Sequence, residues 1–141
     1  MKPLPFTLRQ LQYAAAVAGE GGFRKNLEKK IQELGLADHV ALLGERSDVR
    51  QLLAAVDGFA FTSYYEGLPG ALLEAMLAGL PIVASDIPMH RELLPERSMG
   101  LLAPLGDVQA YARAMLQILE NPEAASRMGG QARAFARQNF D

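Results

Sequence analysis

Apolar residues come along this chain in short runs that alternate with longer stretches of helical spacing. Residues 13–18 form a small-residue apolar run read as a buried strand, and the glycine turn at 19–22 leads into a helix over 23–34 that Gly35 stops. A second strand is read over 40–43, followed by a polar loop and by a short helix over 49–55, opened by Asp48, with Leu52 and Leu53 facing inward. Strand-like runs at 57–63 and 81–85 flank a helix read over 69–78, which makes a βαβ unit. A loop from Asp86 leads to a helical turn ending near Pro95, and residues 99–103 make a last short strand. Asp107 is placed to cap a helix over 108–119; Asn121 and Pro122 start another that runs to about residue 138. Leu116, Leu119, Met128 and Phe135 are read as core positions, while Pro3 and Pro5 delay any helix at the amino end until about Phe6. Five short strands, each followed by helix, predict an α/β fold: a parallel sheet with helices on both faces.

The stretch from Glu66 to Pro81 carries the candidate chemistry. Pro69 suits a first helical turn because it has no N–H to leave unpaired, and Gly79 before Pro81 is the matching stop. No Ser, Thr, Asp or Asn stands at the cap, so the first amides of this helix lack a side-chain acceptor. An anion is the natural occupant of such a helix start, where free N–H groups and the positive end of the dipole coincide. Glu74 is the single charge of the helix, among Leu, Met, Ala and Gly; it is expected to be partly desolvated and to need donors. Glu66 lies in the loop at the carboxyl end of the preceding strand, where ligands bind in open α/β sheets. The two acids are expected roughly 12 Å apart along the axis, at about 1.5 Å per residue. They could bracket an extended, anionic, hydroxyl-rich ligand with phosphates at the helix start, which is the shape of a nucleotide sugar.

Glu66 and Glu74 form an E-x7-E pattern, and the string EGLPGALLEAMLAGLPIVASD around them is more specific than the spacing. With GEGGFRKNLE, LGLADHVALLGERSDV and GLLAPLGD, it resembles the carboxyl-terminal, donor-binding domain of the retaining GT-B glycosyltransferases, the glycosyl transferases group 1 family. The likeness runs from about residue 13 to the end. It implies a three-layer α/β/α, Rossmann-like domain spanning 1–141, one half of a GT-B fold, whose acceptor-binding amino-terminal partner half is absent from this chain. It also implies transfer of a sugar, of the hexosyltransferase class, from a nucleoside diphosphate sugar to a glycan, lipid or other acceptor.

By the same resemblance Glu66 is the catalytic candidate, contacting the sugar hydroxyls near the reacting carbon, and Glu74 holds the ribose hydroxyls. The backbone of Gly67, Leu68, Pro69, Gly70 and Ala71 receives the departing diphosphate through its amides. Gly19 and Gly21 border the donor cleft, or serve the turn alone. The base lies against residues 44–49, where Arg46 could stack on it or simply be solvated, and Lys2 could grip the diphosphate or be an exposed terminal lysine. The scheme requires no metal and no cofactor beyond the donor itself. The isolated chain is expected to bind a nucleotide weakly and to transfer nothing.

Other classes are set aside on particular residues. A dinucleotide fingerprint would need a sixth-position glycine where Arg24 stands, and no acidic residue follows a second strand at the required distance. Arg24, Lys25, Lys29 and Lys30, with Glu28 and Glu33, read as a solvated helix face. A net charge of −2 without a basic cluster argues against nucleic acid. Zero cysteines exclude disulfides and thiolate metal sites. His90 and Glu92 could pass for an acid/base pair but have no third partner, and His39 reads as a surface residue. With no signal-like start and no apolar run of about 18 residues, the expectation is a cytoplasmic chain. Peripheral attachment at the inner membrane face, through the absent half, is left open. Two alternatives stand beside the transferase: a non-catalytic module of the same fold, and a nucleotide-sugar epimerase.

Overall fold

The computed structural model describes residues 15–18 and 22–140. Lys2, the turn expected near Phe6, Gly19 and Gly21 lie outside the described residues. The chain falls into two compact units that divide in sequence between Val49 and Arg50.

In the first unit β1 (Ala15–Ala18) pairs in parallel with β2 (Val40–Gly44), Ala15 opposite Val40 and Ala16 opposite Ala41, with a register shift between Val17 and Ala18. The connecting helix α1 (Arg24–Glu33) buries no residue. Ion pairs four residues apart lace its surface, Arg24 to Glu28 at 3.1 Å and Lys29 to Glu33 at 3.7 Å, as its charge pattern predicts. Gly35, at φ +65°, ends it. Its N–H bonds the Gln32 carbonyl and that of Leu36 the Ile31 carbonyl, the paired closure that a left-handed residue makes possible.

The second unit begins within α2 (Val49–Ala55), in which Leu53 is buried and Leu52 half-buried. It contains β3 (Phe59–Phe61), α3 (Gly70–Leu77), β4 (Ile82–Ser85), α4 (Pro88–Leu93), β5 (Leu101–Ala103), α5 (Val108–Glu120) and α6 (Pro122–Phe140). Its three strands form a parallel sheet in the order β3-β4-β5. All four residues of the central β4 are buried, which explains why it reads as a continuous apolar run rather than an alternation.

Buried Leu72, Ala75 and Met76 form the inner stripe of α3. The small residues Ala125, Gly129, Ala132 and Ala136 form the buried stripe of α6, at helical spacing. A Cβ added at Gly129 would stand 2.0 Å from the Gly79 carbonyl oxygen, so the α6 backbone lies directly on the turn that ends α3. That turn repeats the closure of α1: Gly79, at φ +76°, bonds the Met76 carbonyl and Leu80 bonds that of Ala75.

Asp107 caps α5 as expected, accepting from the Ala110 N–H at 2.9 Å. The core positions of this helix differ from the expectation. Ile118 is buried, with Tyr111 and Ala114 partly buried against Val83, Leu101 and Ala125, whereas Leu116 and Leu119 are exposed. The helix is apolar on two sides, and only the stripe 111, 114, 118 meets the sheet. Met128 packs partly buried on the same cluster, and Phe135 is half-buried, edge-on to Phe140.

Candidate functional site

The loop between β3 and α3 is tied down from behind. Ser63, two residues past the end of β3, donates its hydroxyl to Glu66 Oε1 at 2.6 Å, leaving that carboxylate partly buried and oriented. The Ser63 carbonyl accepts from the hydroxyl of Ser85, the last residue of β4. The Ser85 carbonyl in turn lies 2.7 Å from His90 Nδ1, on α4. Ser85 and His90 are both 0% exposed and are the two buried polar residues among those described. His90 is therefore no partner of the exposed Glu92, and its ring instead lies against Phe61, centroids 5.3 Å apart.

The start of α3 carries no side-chain cap. Pro69, expected in the first turn, is the N-cap residue, with an extended ψ of 90° and a fully buried ring. The first backbone bond into the helix runs from the Leu73 N–H to the Pro69 carbonyl. Ahead of it, the amides of Gly67, Leu68, Gly70 and Ala71 have no acceptor among the described residues, and all four residues are exposed. Donors facing solvent at the positive end of a helix dipole can receive an anion at little desolvation cost.

Glu74 departs from the expectation of partial desolvation: it is exposed, and its carboxylate has no hydrogen-bond or ionic partner among the described residues. Helical periodicity is the reason. Residues 72, 75 and 76 turn inward, so 70, 71, 74, 77 and 78 occupy the opposite face. The two acids of the E-x7-E pattern thus differ, one held by a serine and the other free in solvent.

In the first unit, Arg46 grips Asp48 with two bonds, Nε to Oδ1 at 2.7 Å and an Nη to Oδ2 at 2.6 Å, and its side chain is only 13% exposed. Hydrogen bonding to that guanidinium holds the Asp48 carboxyl below the usual carboxylate range, and Asp48 in turn raises Arg46. Arg46 is thus tied to Asp48 within its own loop. A similar fork joins Arg91 to Asp86 at 2.5 and 3.0 Å, and its hydrogen bonds lower the Asp86 carboxyl.

Sequence reasoning missed two features. One is the chain of hydroxyl and imidazole bonds behind Glu66, whose only visible sign is a serine at or just past the carboxyl end of each of two successive apolar strands. The other is a pocket of about 290 Å³ lined by Thr62, Tyr64, Leu105, Gly106, Val108 and Tyr111. It joins loops more than 40 residues apart in sequence, and neither Glu66 nor Glu74 lines it. Among the described residues no group of three or more His, Cys, Asp or Glu side chains is placed to hold a metal. No helix among them is long and apolar enough to cross a membrane.

In open α/β sheets ligands bind outside the carboxyl ends of the strands, and here those ends carry a tethered acid and an open helix start. The chain belongs to the glycosyl transferases group 1 family, which it matches over residues 6–135. Its fold is that of the GT-B glycosyltransferases. HepE of Anabaena, whose crystal structures hold UDP and UDP-glucose, is 34% identical; in the UDP complex the likeness covers 96% of this chain and 39% of HepE, with a TM-score of 0.86. The lipopolysaccharide core biosynthesis glycosyltransferase LpsE of Rhizobium meliloti is 33% identical over 110 residues, 78% of this chain and 32% of LpsE. The UDP-Gal:alpha-D-GlcNAc-diphosphoundecaprenol alpha-1,3-galactosyltransferase of Escherichia coli is 31% identical over 106 residues, 74% of this chain and 27% of that protein. The chain spans about a third of the length of the relatives it matches.

Proposed function

We propose that this chain is the donor-binding part of a retaining glycosyltransferase, taking a nucleoside diphosphate sugar, with UDP as the nucleotide, and working with an acceptor-binding half of the same enzyme. The observation that carries this reading is the row of unaccepted amides at Gly67, Leu68, Gly70 and Ala71 beside the oriented Glu66. These donors meet the diphosphate and stabilise the charge that builds on it as the sugar–phosphate bond breaks. Glu66 accepts from the sugar hydroxyls near the reacting carbon. Glu74 has no internal partner to give up, so it accepts from the ribose hydroxyls and is desolvated by the ligand rather than by the fold. Arg46, whose guanidinium pairs with Asp48, is the candidate of the first unit for the base. Gly19, Gly21 and Lys2, outside the described residues, are donor candidates from the sequence alone. That HepE is seen with UDP and UDP-glucose supports UDP over other nucleotides.

Calorimetry with UDP, GDP and ADP tests the reading. UDP is expected to bind, and Glu74→Ala to weaken it about tenfold, or about 1.4 kcal/mol. Silence toward all three nucleotides, or a Glu74→Ala variant that binds UDP as the wild type does, would sink it.

A further inference from the structure

We propose that Ser63, Ser85 and His90 form a positioning relay that holds the Glu66 carboxylate in its working orientation toward the donor sugar, an inference that rests on the role of Glu66 given above. The sense of every bond in the relay follows from chemistry. Two acceptors cannot sit 2.7 Å apart, so His90 Nδ1 carries the proton and donates to the Ser85 carbonyl. The Ser85 hydroxyl, 3.3 Å from the same nitrogen, is then released to donate to the Ser63 carbonyl. With its carbonyl pinned, Ser63 aims its own hydroxyl at Glu66 Oε1.

The opposite tautomer would undo this order. An Nδ1 lone pair would repel the Ser85 carbonyl and draw the Ser85 hydroxyl toward itself, and Ser63 would lose its donor. The fold retains the imidazole at a cost: His90 Nε2 is buried and has no hydrogen-bond partner. An aliphatic side chain would fill this place in an apolar core without leaving an orphaned atom. What it could not supply is the Nδ1–H. Glu74, by contrast, has no such support, and the asymmetry marks Glu66 as the acid whose direction matters.

Two measurements test the relay. In the ligand-free protein, a long-range proton–nitrogen correlation spectrum, with His39→Gln to assign the two histidines, is expected to show His90 protonated at Nδ1. A proton on Nε2 overturns the relay. The side-chain carboxyl carbon resonance of Glu66 is expected to move in Ser63→Ala and in His90→Leu, and to return in His90→Asn, whose amide places an N–H near the position of Nδ1. A resonance unmoved by loss of the His90 donor also overturns it, and Ser63→Ala keeps the test open where His90→Leu does not fold.

Calorimetry then compares UDP-glucose with UDP. Ser63→Ala and His90→Leu are expected to weaken UDP-glucose about tenfold while UDP binding stays within twofold, with His90→Asn restoring the sugar-dependent part. Equal loss for both ligands would assign the three residues to scaffolding alone and overturn positioning. Wild-type protein that binds neither ligand would overturn the donor site, and the spectra would still decide the relay.

Discussion

The two faces of α3 are built on opposite principles. The inner face is fixed three times over: by buried Leu72, Ala75 and Met76, by the glycine closure at its end, and by the backbone of α6 lying on that closure. The outer face, with Gly70, Ala71 and Glu74, touches nothing that holds it. A ligand arriving at the outer face thus meets groups already set in place by contacts it does not disturb. The same division separates the acids. Glu66 is oriented from the inner side through Ser63, while Glu74 receives only its position from the helix. Preorganisation here lies in the backbone and in one acid, and the second acid is left to be ordered by what it binds.

The heaviest blow to this contrast falls on the inner face. Leu72→Ala removes a fully buried side chain beneath the start of α3 and is expected to cost about 2–5 kcal/mol of unfolding free energy. Chemical denaturation measures it, and a loss below about 1 kcal/mol would mean that α3 is not held as described. Gly129→Ala comes next. Its methyl would stand 2.0 Å from the Gly79 carbonyl oxygen, so α6 must move or strain, at about 1–3 kcal/mol. An unchanged midpoint would show that α6 does not rest on the end of α3.

Much of this frame is legible in the sequence. Every described strand and helix falls within a few residues of where its apolar period, glycine stop or aspartate cap places it, because those signals are local. The direction of α3 was not legible. Its composition is apolar enough that Glu74 reads as sheltered, and only the observed stripe 72, 75, 76 shows that 74 faces away. Leu116 and Leu119 mislead for a related reason, since α5 carries more apolar residues than its contact with the sheet can bury. The Ser63–Ser85–His90 connection joins a loop, a strand end and a helix, and no spacing rule announces a bond between residues 22 apart.

On the outer face the expectation reverses. Glu74→Gln should leave stability within about 0.5 kcal/mol of the wild type, because no protein contact is lost. Thermal unfolding with and without UDP separates the two effects. The unliganded midpoint is expected to stay, and the upward shift that UDP confers to shrink. A lowered unliganded midpoint would place Glu74 in the fold's own support and erase the contrast between the faces.

The smallest effect concerns the strand end from which Ser85 acts. Asp86, next in sequence, is paired with Arg91 on α4, and hydrogen bonds from that guanidinium hold its carboxyl below the ordinary aspartate range. A carboxyl with a depressed folded-state value stabilises the protein at pH above its unfolded value, and that contribution is lost as pH falls through the folded one. Stability should therefore decline on the acid side of the usual carboxylate range, and Asp86→Asn should lower it near neutrality while making the acid decline shallower. The Arg91 side chain is largely exposed, so solvent screens the pair and the change is smaller than any above. Urea midpoints of both proteins across the acid range measure it. Parallel curves would mean that the Asp86 fork is a surface contact without influence on the strand end, and that β4 and α4 hold Ser85 and His90 by packing alone.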